Sequence, residues 1–111
     1  MNREEFEKII EEINNAKHFS VHCLEDTCDL FYEAKPESVA KGLNVDKHRW
    51  YEITTDVYKI GEWFLGVRGV SSLFSESMDY SDVEIACTAF EMEEIQITSY
   101  QPKKKGNQND E

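Results

Sequence analysis

The stretch WYEITTDVYKIGEWFLGVRGV, residues 50–70, decides the fold. Its first half alternates mainly apolar side chains with polar ones. The first set is Tyr51, Ile53, Thr55 and Val57, and the second is Glu52, Thr54 and Asp56. This period of two, rich in β-branched and aromatic residues, predicts a strand over residues 50–60. Gly61 and Glu62 then predict a tight turn into a second strand over residues 63–70, in which Gly66 and Gly69 indicate a bulge or the close approach of another backbone. The two strands together predict an antiparallel hairpin.

An amphipathic helix is predicted at the N-terminus, over residues 2–17. Asn2 is a favourable helix cap, and Glu5 stands three residues later, where it completes a capping box. The apolar residues recur at helical spacing on one face, and they are Phe6, Ile9, Ile10 and Ile13. We expect this face to pack on the sheet while the glutamates of the other face meet solvent.

Shorter elements are predicted around the hairpin. Before it we expect a strand over residues 19–24, a turn at 25–27, either a strand or a short helix at 29–35, and a helix over residues 37–43 that Pro36 and Gly42 bracket. After it we expect a long connection over residues 71–82, a strand over 83–89 and a last strand over 95–100.

The fold class that these elements predict is α+β. We expect the N-terminal amphipathic helix to pack on an antiparallel sheet of about four or five strands. Residues 1–102 are long enough to form a single domain without a metal or a disulfide. The polar residues 103–111 are predicted to form a disordered tail.

Charge is the most informative feature of the composition. The chain has 12 basic and 23 acidic residues, and the part before residue 103 has 9 basic and 21 acidic residues, a net charge of −12. Such a field repels nucleic acid backbones and anionic membranes, and it favours encounter with a basic partner. We therefore expect a protein partner and no direct binding to nucleic acid or to a membrane.

Localisation is predicted from the apolar runs and the cysteines. No run approaches the ~20 apolar residues that cross a bilayer, and the N-terminus is acidic and helical, unlike a signal peptide. The chain has three cysteines, an odd number, in a domain that needs no disulfide for its stability, which favours reduced thiols. The alternative is a disulfide between Cys23 and Cys28. These features predict a cytoplasmic protein.

Catalytic and metal-binding patterns are weak in this sequence. His22, Cys23 and Cys28 are neighbours, but a structural zinc site needs a second pair of ligands that the spacing does not supply. No glycine-rich phosphate loop, G-x-S-x-G or H-E-x-x-H is present. We therefore expect no enzyme, no catalytic residue, no metal and no cofactor. The alternative is a thiol- or metal-dependent enzyme in which a cysteine meets His18, His22 or His48 in space.

A run of acidic residues without any lysine or arginine marks the second half. Its members are Glu76, Asp79, Asp82, Glu84, Glu91, Glu93 and Glu94. Phe74, Met78 and Tyr80 interleave with serines and with these acids, which is the composition of a binding loop with apolar anchors. The alternative is that these apolar residues cover one end of the core while the acids keep the surface soluble.

Three stretches carry a resemblance to a known class of proteins: residues 49–53, residues 66–78 and residues 90–95. They resemble small acidic proteins of phages and mobile elements in Gram-positive bacteria, of the anti-CRISPR and anti-defence kind. The resemblance covers about half of the chain and has no catalytic motif. It implies an inhibitor that occludes the nucleic-acid channel of a bacterial nuclease by presenting carboxylates where phosphates would lie.

The function predicted is therefore a non-enzymatic inhibitor in the bacterial cytoplasm that binds a basic, nucleic-acid-handling protein such as a CRISPR effector nuclease. The residues expected to mimic phosphates are Glu76, Asp79, Asp82, Glu91, Glu93 and Glu94, and the expected anchors are Phe74, Met78 and Tyr80. The runner-up is a structural or adaptor protein that forms an oligomer through its sheet edge or the apolar margin of its helix.

Overall fold

The computed structural model describes residues 1–20, 24–95 and 99–103. In chain order the elements are α1 (Arg3–Ala16), α2 (Leu24–Thr27), α3 (Asp29–Glu33), β1 (Glu37–Lys47), β2 (Tyr51–Ile60), β3 (Trp63–Leu73), α4 (Tyr80–Val83) and β4 (Thr88–Met92). In the described ranges the strands form one sheet in the order β1-β2-β3-β4, and every neighbouring pair is antiparallel. The predicted α+β class, with an N-terminal helix and an antiparallel sheet, is confirmed.

Helix α1 begins where the sequence predicts. The Asn2 side chain accepts a hydrogen bond from the Glu5 backbone N–H at 2.8 Å, and the Glu5 carboxylate accepts one from the Asn2 N–H at 2.9 Å. This reciprocal capping box satisfies two backbone donors that the first turn leaves without partners. The residues of α1 that are buried are Phe6, Ile9 and Ile13, as the apolar stripe predicts.

The β2–β3 hairpin also forms as predicted, around a turn in which Gly61 has a φ of +62°. The register pairs Ile60 with Trp63 and continues along both strands to Tyr51 and Leu73, with one shift next to Glu52. Strand β3 thus runs three residues beyond the predicted end at Val70.

The core lies between the helices and one face of the sheet. Because side chains alternate along a strand, Tyr58, Leu65 and Val67 point to this side, which we call the helix-covered face. The Phe6 ring stacks on Trp63 at 5.5 Å, and the Phe31 ring meets Tyr58 edge-to-face at 5.1 Å. The other side, carrying Val57, Phe64 and Met92, is called the opposite face.

Strand β1 replaces the predicted helix over residues 37–43, and that prediction was wrong. The backbone here pairs with β2, but the pairing shifts register three times, and Gly42 and Asn44 have positive φ values of 69° and 51°. Nearly every β1 side chain is exposed, because the strand lies at the edge of the sheet. An edge strand of this kind has little buried face to impose an apolar pattern on its sequence.

The segments before β1 are helical. At residues 29–35 the helical alternative is correct, since α3 spans Asp29–Glu33. The predicted strand over residues 19–24 was wrong at both ends, because Phe19 and Ser20 are in no strand and Leu24 begins α2; residues 21–23 lie outside the described ranges. The turn predicted at residues 25–27 is the rest of this short helix.

The segments after β3 also differ from the predictions. The strand predicted over residues 83–89 begins only at Thr88, because Val83 ends α4 and Glu84 adopts a left-handed conformation with a φ of 58°. Half of the last predicted strand, over residues 95–100, falls on residues 96–98, which lie outside the described ranges, as does the tail from residue 104 onward. Among the described helices, none has the length and apolar character that crossing a membrane requires.

Candidate binding surfaces

The first group of predicted contact residues lies between β3 and α4. Asp79 and Asp82 form a capping box: the Asp79 carboxylate accepts from the Ser81 N–H at 3.0 Å, and the Asp82 carboxylate accepts from the Asp79 N–H at 2.9 Å. The hydrogen bond from the Ser81 side chain lowers the pKa of Asp79 from its usual value. Each carboxylate therefore supports the turn, and Asp79 keeps its charge to a lower pH than a free aspartate does.

The other members of this group differ in exposure. Phe74 is 46% exposed and Glu76 is exposed, whereas Met78 and Tyr80 are half-buried. Phe74 is thus the most available of the three predicted anchors.

Two basic residues stand beside this acidic segment in space. The Lys47 ammonium lies 5.5 Å from the centre of the Phe74 ring, and the Arg49 guanidinium lies 4.7 Å from the Trp50 ring. The Phe74 N–H donates to the Trp50 carbonyl at 2.8 Å, so both rings belong to one end of the sheet. Segment 76–94 contains no lysine or arginine, but Lys47 is placed against Phe74, two residues before its start.

Glu91 is held by a residue of α1. The Arg3 guanidinium donates to both Glu91 oxygens, at 2.6 and 2.8 Å, and its third contact is with Glu7 at 3.0 Å. The hydrogen bond from Arg3 lowers the pKa of Glu91. This two-pronged contact ties the start of α1 to β4, and it offsets the charge that Glu91 presents to a partner.

Glu93 and Glu94 lie at the other end of the sheet from Glu76. Met92 pairs with Phe64, and β3 leaves the sheet at Leu73, nine residues farther on. At about 3.3 Å per residue, the two ends are on the order of 30 Å apart. The predicted acidic residues therefore form two separate groups, with the paired Glu91 near the second, rather than one continuous row.

A groove on the opposite face lies beside Glu93 and Glu94. It has a volume of about 540 Å³. The apolar lining residues are Val39, Ala40, Leu43, Val57, Phe64, Met92 and Ile95, and the charged ones are Glu37, Lys59, Glu93 and Glu94. An apolar floor with three carboxylates and one ammonium at its margin suits a partner surface that is both apolar and basic.

A second cavity lies on the helix-covered face, beyond the reach of α1. It has a volume of about 470 Å³. Its floor is formed by alternate residues of β2, namely Glu52, Thr54, Asp56 and Tyr58, and its walls include Leu24, Phe31, Lys41 and Ser71. This cavity is more polar than the groove.

Sequence reasoning missed both concavities because it placed a helix over residues 37–43. Strand β1 supplies one wall of each. An exposed edge strand with three register shifts leaves little periodic signal in its sequence.

The cysteines offer little chemistry where the structure describes them. Cys28 and Cys87 are both buried. Burial raises the pKa of Cys28, which favours the protonated and poorly nucleophilic form. Cys23 and His22 lie outside the described ranges, and among the residues inside them no group of three or more histidine, cysteine or carboxylate side chains is placed to hold a metal ion.

Comparison of the chain with models of protein families, with curated proteins and with solved structures finds no match. The assignment of a function therefore rests on the surfaces of this chain.

Proposed function

We propose that this protein is a binding protein that inhibits a basic, nucleic-acid-handling protein, with a CRISPR effector nuclease as the partner class. The observation that carries the proposal is the apolar groove of the opposite face, at whose margin Glu37, Glu93 and Glu94 lie exposed. A body with a net charge of −12 surrounds this groove and attracts a basic surface before contact is made.

The groove and the acids have separate parts in this binding. The floor, with half-buried Phe64 and Met92, contributes affinity because it removes apolar area from water. The carboxylates at its margin contribute orientation and a fast on-rate. Glu93 and Glu94 occupy the positions that phosphates of a nucleic acid would take on the partner.

The second acidic group has a part only if the partner surface is long. The segment that holds Asp79 and Asp82 leaves the sheet at Leu73, about 30 Å along β3 from the strand end beside Met92 and Glu93. A small basic patch at one of these strand ends therefore does not reach the other. A nucleic-acid channel is long enough to do so, because it follows a charged backbone over many phosphates. Inhibition would then be competitive with nucleic acid and would weaken as salt rises.

A DNA-cleavage assay with purified CRISPR effector nucleases tests the proposal. The variant Glu93→Lys/Glu94→Lys reverses the margin of the groove, and the matched control Glu11→Lys/Asp26→Lys makes the same change in net charge at exposed positions of α1 and α2. We expect the first variant to lose inhibition and the control to keep it. If a folded Glu93→Lys/Glu94→Lys variant inhibits as well as the parent, mimicry at this site is refuted. If both variants lose inhibition to the same extent, inhibition depends on net charge and not on the margin of the groove.

A second candidate function, homo-oligomerisation, is favoured by one observation. Strand β1 is an edge strand of 11 residues whose backbone has no neighbour on its outer side within the described sheet. Such an edge can pair with a second copy, although the register shifts of β1 and its lysines oppose this. Light scattering over a range of concentrations discriminates: a constant mass of 13.0 kDa, that of one chain, would count against oligomerisation.

A further inference from the structure

The polar cavity on the helix-covered face has a feature that the proposed function does not use. Helices α1 and α3 cover the end of β2 at which Tyr58 and Ile60 pack, and they leave the end with Glu52 and Thr54 open to the cavity. The same face of β2 therefore contributes to the core at one end of the strand and forms the floor of the cavity at the other end.

Thr54 is the centre of that floor. Its side chain lines the cavity although the residue is only 3% exposed. Within the described ranges its hydroxyl makes no hydrogen bond. A buried hydroxyl without a partner costs free energy, and a ligand that donates to it or accepts from it removes that cost.

Carboxylates flank Thr54 on both sides. Glu52 and Asp56 are two residues away in either direction on the same face, or about 7 Å along the strand. One Asp56 oxygen accepts from the Gly42 N–H at 3.0 Å. The Glu52 carboxylate makes no hydrogen bond or ion pair with any described residue, and Lys41 is the basic residue of the lining.

The walls of the cavity narrow the class of ligand. Phe31 and Tyr58 line it with their edge-to-face pair, and Leu24 adds an apolar side chain. A guanidinium is planar, is more weakly hydrated than an ammonium and stacks on aromatic rings, so it suits a site that is both acidic and aromatic.

We propose that this cavity binds a guanidinium group, which donates to the Glu52 carboxylate and to the Thr54 hydroxyl. The group belongs either to a free small molecule or to an arginine side chain of a protein partner. The proposal does not rest on the proposed function, because a small guanidinium compound tests it without any partner protein.

The test is an NMR titration of the ¹⁵N-labelled full chain with N-acetyl-arginine amide, whose one charge is its guanidinium. We expect chemical-shift changes centred on Glu52, Thr54 and Ser71. The control compound, Nα-acetyl-lysine amide, whose one charge is its ε-ammonium, should give no such pattern. Glu52→Gln and Thr54→Val should each weaken binding by about tenfold, the scale of one hydrogen bond to a charged group. The control Glu11→Gln, on the exposed side of α1, should bind as the parent does.

The Thr54→Val variant also separates a binding role from a structural one. Valine has nearly the same shape and removes the unpaired hydroxyl, so thermal stability should be unchanged or higher while binding falls. Should Thr54→Val fail to fold, binding by Glu52→Gln, a change at a half-buried residue of the cavity floor, still tests the proposal.

No localised shift at saturating probe, unchanged binding by Glu52→Gln, or equal binding of the lysine compound would each overturn the proposal. A glycine-arginine-glycine peptide that binds more tightly than the amide supports an arginine side chain as the source, and equal affinity supports a free small molecule.

Discussion

Replacing Gly66 by alanine should destabilise the protein through a clash at the centre of the opposite face. A Cβ at this position would lie 2.7 Å from Met92 Cγ, 2.8 Å from Phe90 Cε1 and 2.9 Å from Met92 Sδ. Carbon atoms in contact stand about 3.5–4.0 Å apart, so both side chains must withdraw by about 1 Å. They cannot turn away freely, because Gly66 pairs directly with Phe90 in the sheet.

The size of the effect is set by two opposing contributions. Inserting a methyl group where neighbours must shift costs typically about 1–3 kcal/mol. Removing a glycine from the unfolded chain returns about 0.4–1 kcal/mol. We expect a net loss of about 1–2 kcal/mol in the free energy of unfolding.

Urea unfolding followed by tryptophan fluorescence measures this loss, since Trp63 is packed against Phe6 in the core. With a slope of about 1–2 kcal/mol per molar urea, the midpoint should fall by about 1 M. Met92→Ala should reduce the cost of Gly66→Ala, because it removes two of the three contacts. A midpoint for Gly66→Ala equal to or above the parent's would refute this reasoning.

The remaining predictions concern the cap, one ion pair and one thiol. Asn2→Ala should lower the free energy of unfolding by about 1 kcal/mol, whereas Asn2→Ser should be nearly neutral, both measured in urea. Because Arg3 lowers the pKa of Glu91, this pair stabilises the fold above the ordinary glutamate pKa, and the stabilisation disappears as pH falls through the lowered value. The acid branch of a stability-against-pH curve should therefore be shallower in Arg3→Ala, and an unchanged branch would contradict the pairing. Cys28, at 0% exposed and with a raised pKa, should react with a thiol reagent only when the protein opens, so its rate should rise with urea; fast labelling in native buffer would contradict its burial.

The fold depends on some of the predicted contact carboxylates more than on others, and this decides which of them can be replaced without destabilising the protein. Asp79 and Asp82 cap α4, and Glu91 anchors Arg3, so replacing them disturbs the fold as well as the charge. Glu93 and Glu94 follow β4 and are exposed. Charge reversal is therefore cleanest at these two residues.

Several elements were predictable because their signals are local. The capping box of Asn2 and Glu5 and the stripe of Phe6, Ile9 and Ile13 depend on residues three and four apart, and the helix formed where they placed it. The alternation from Tyr51 to Ile60 predicted β2 in the same way. Strand β1 was not predicted, because an exposed edge strand buries too few side chains to require alternation of apolar and polar residues.

The amino-acid sequence by itself determined the class of the fold, the capped helix, the hairpin and the acidic field, since these follow from periodicity, capping and charge over a few residues. The tertiary structure alone decided which carboxylates lie together. Antiparallel pairing places Met92 beside Phe64 and sends Leu73 to the far end of β3, so residues close in the chain lie about 30 Å apart. The same pairing brings Lys47 to Phe74 and leaves Thr54 under a cavity, because the position of a side chain in a sheet depends on its partner strands and on where the covering helices end.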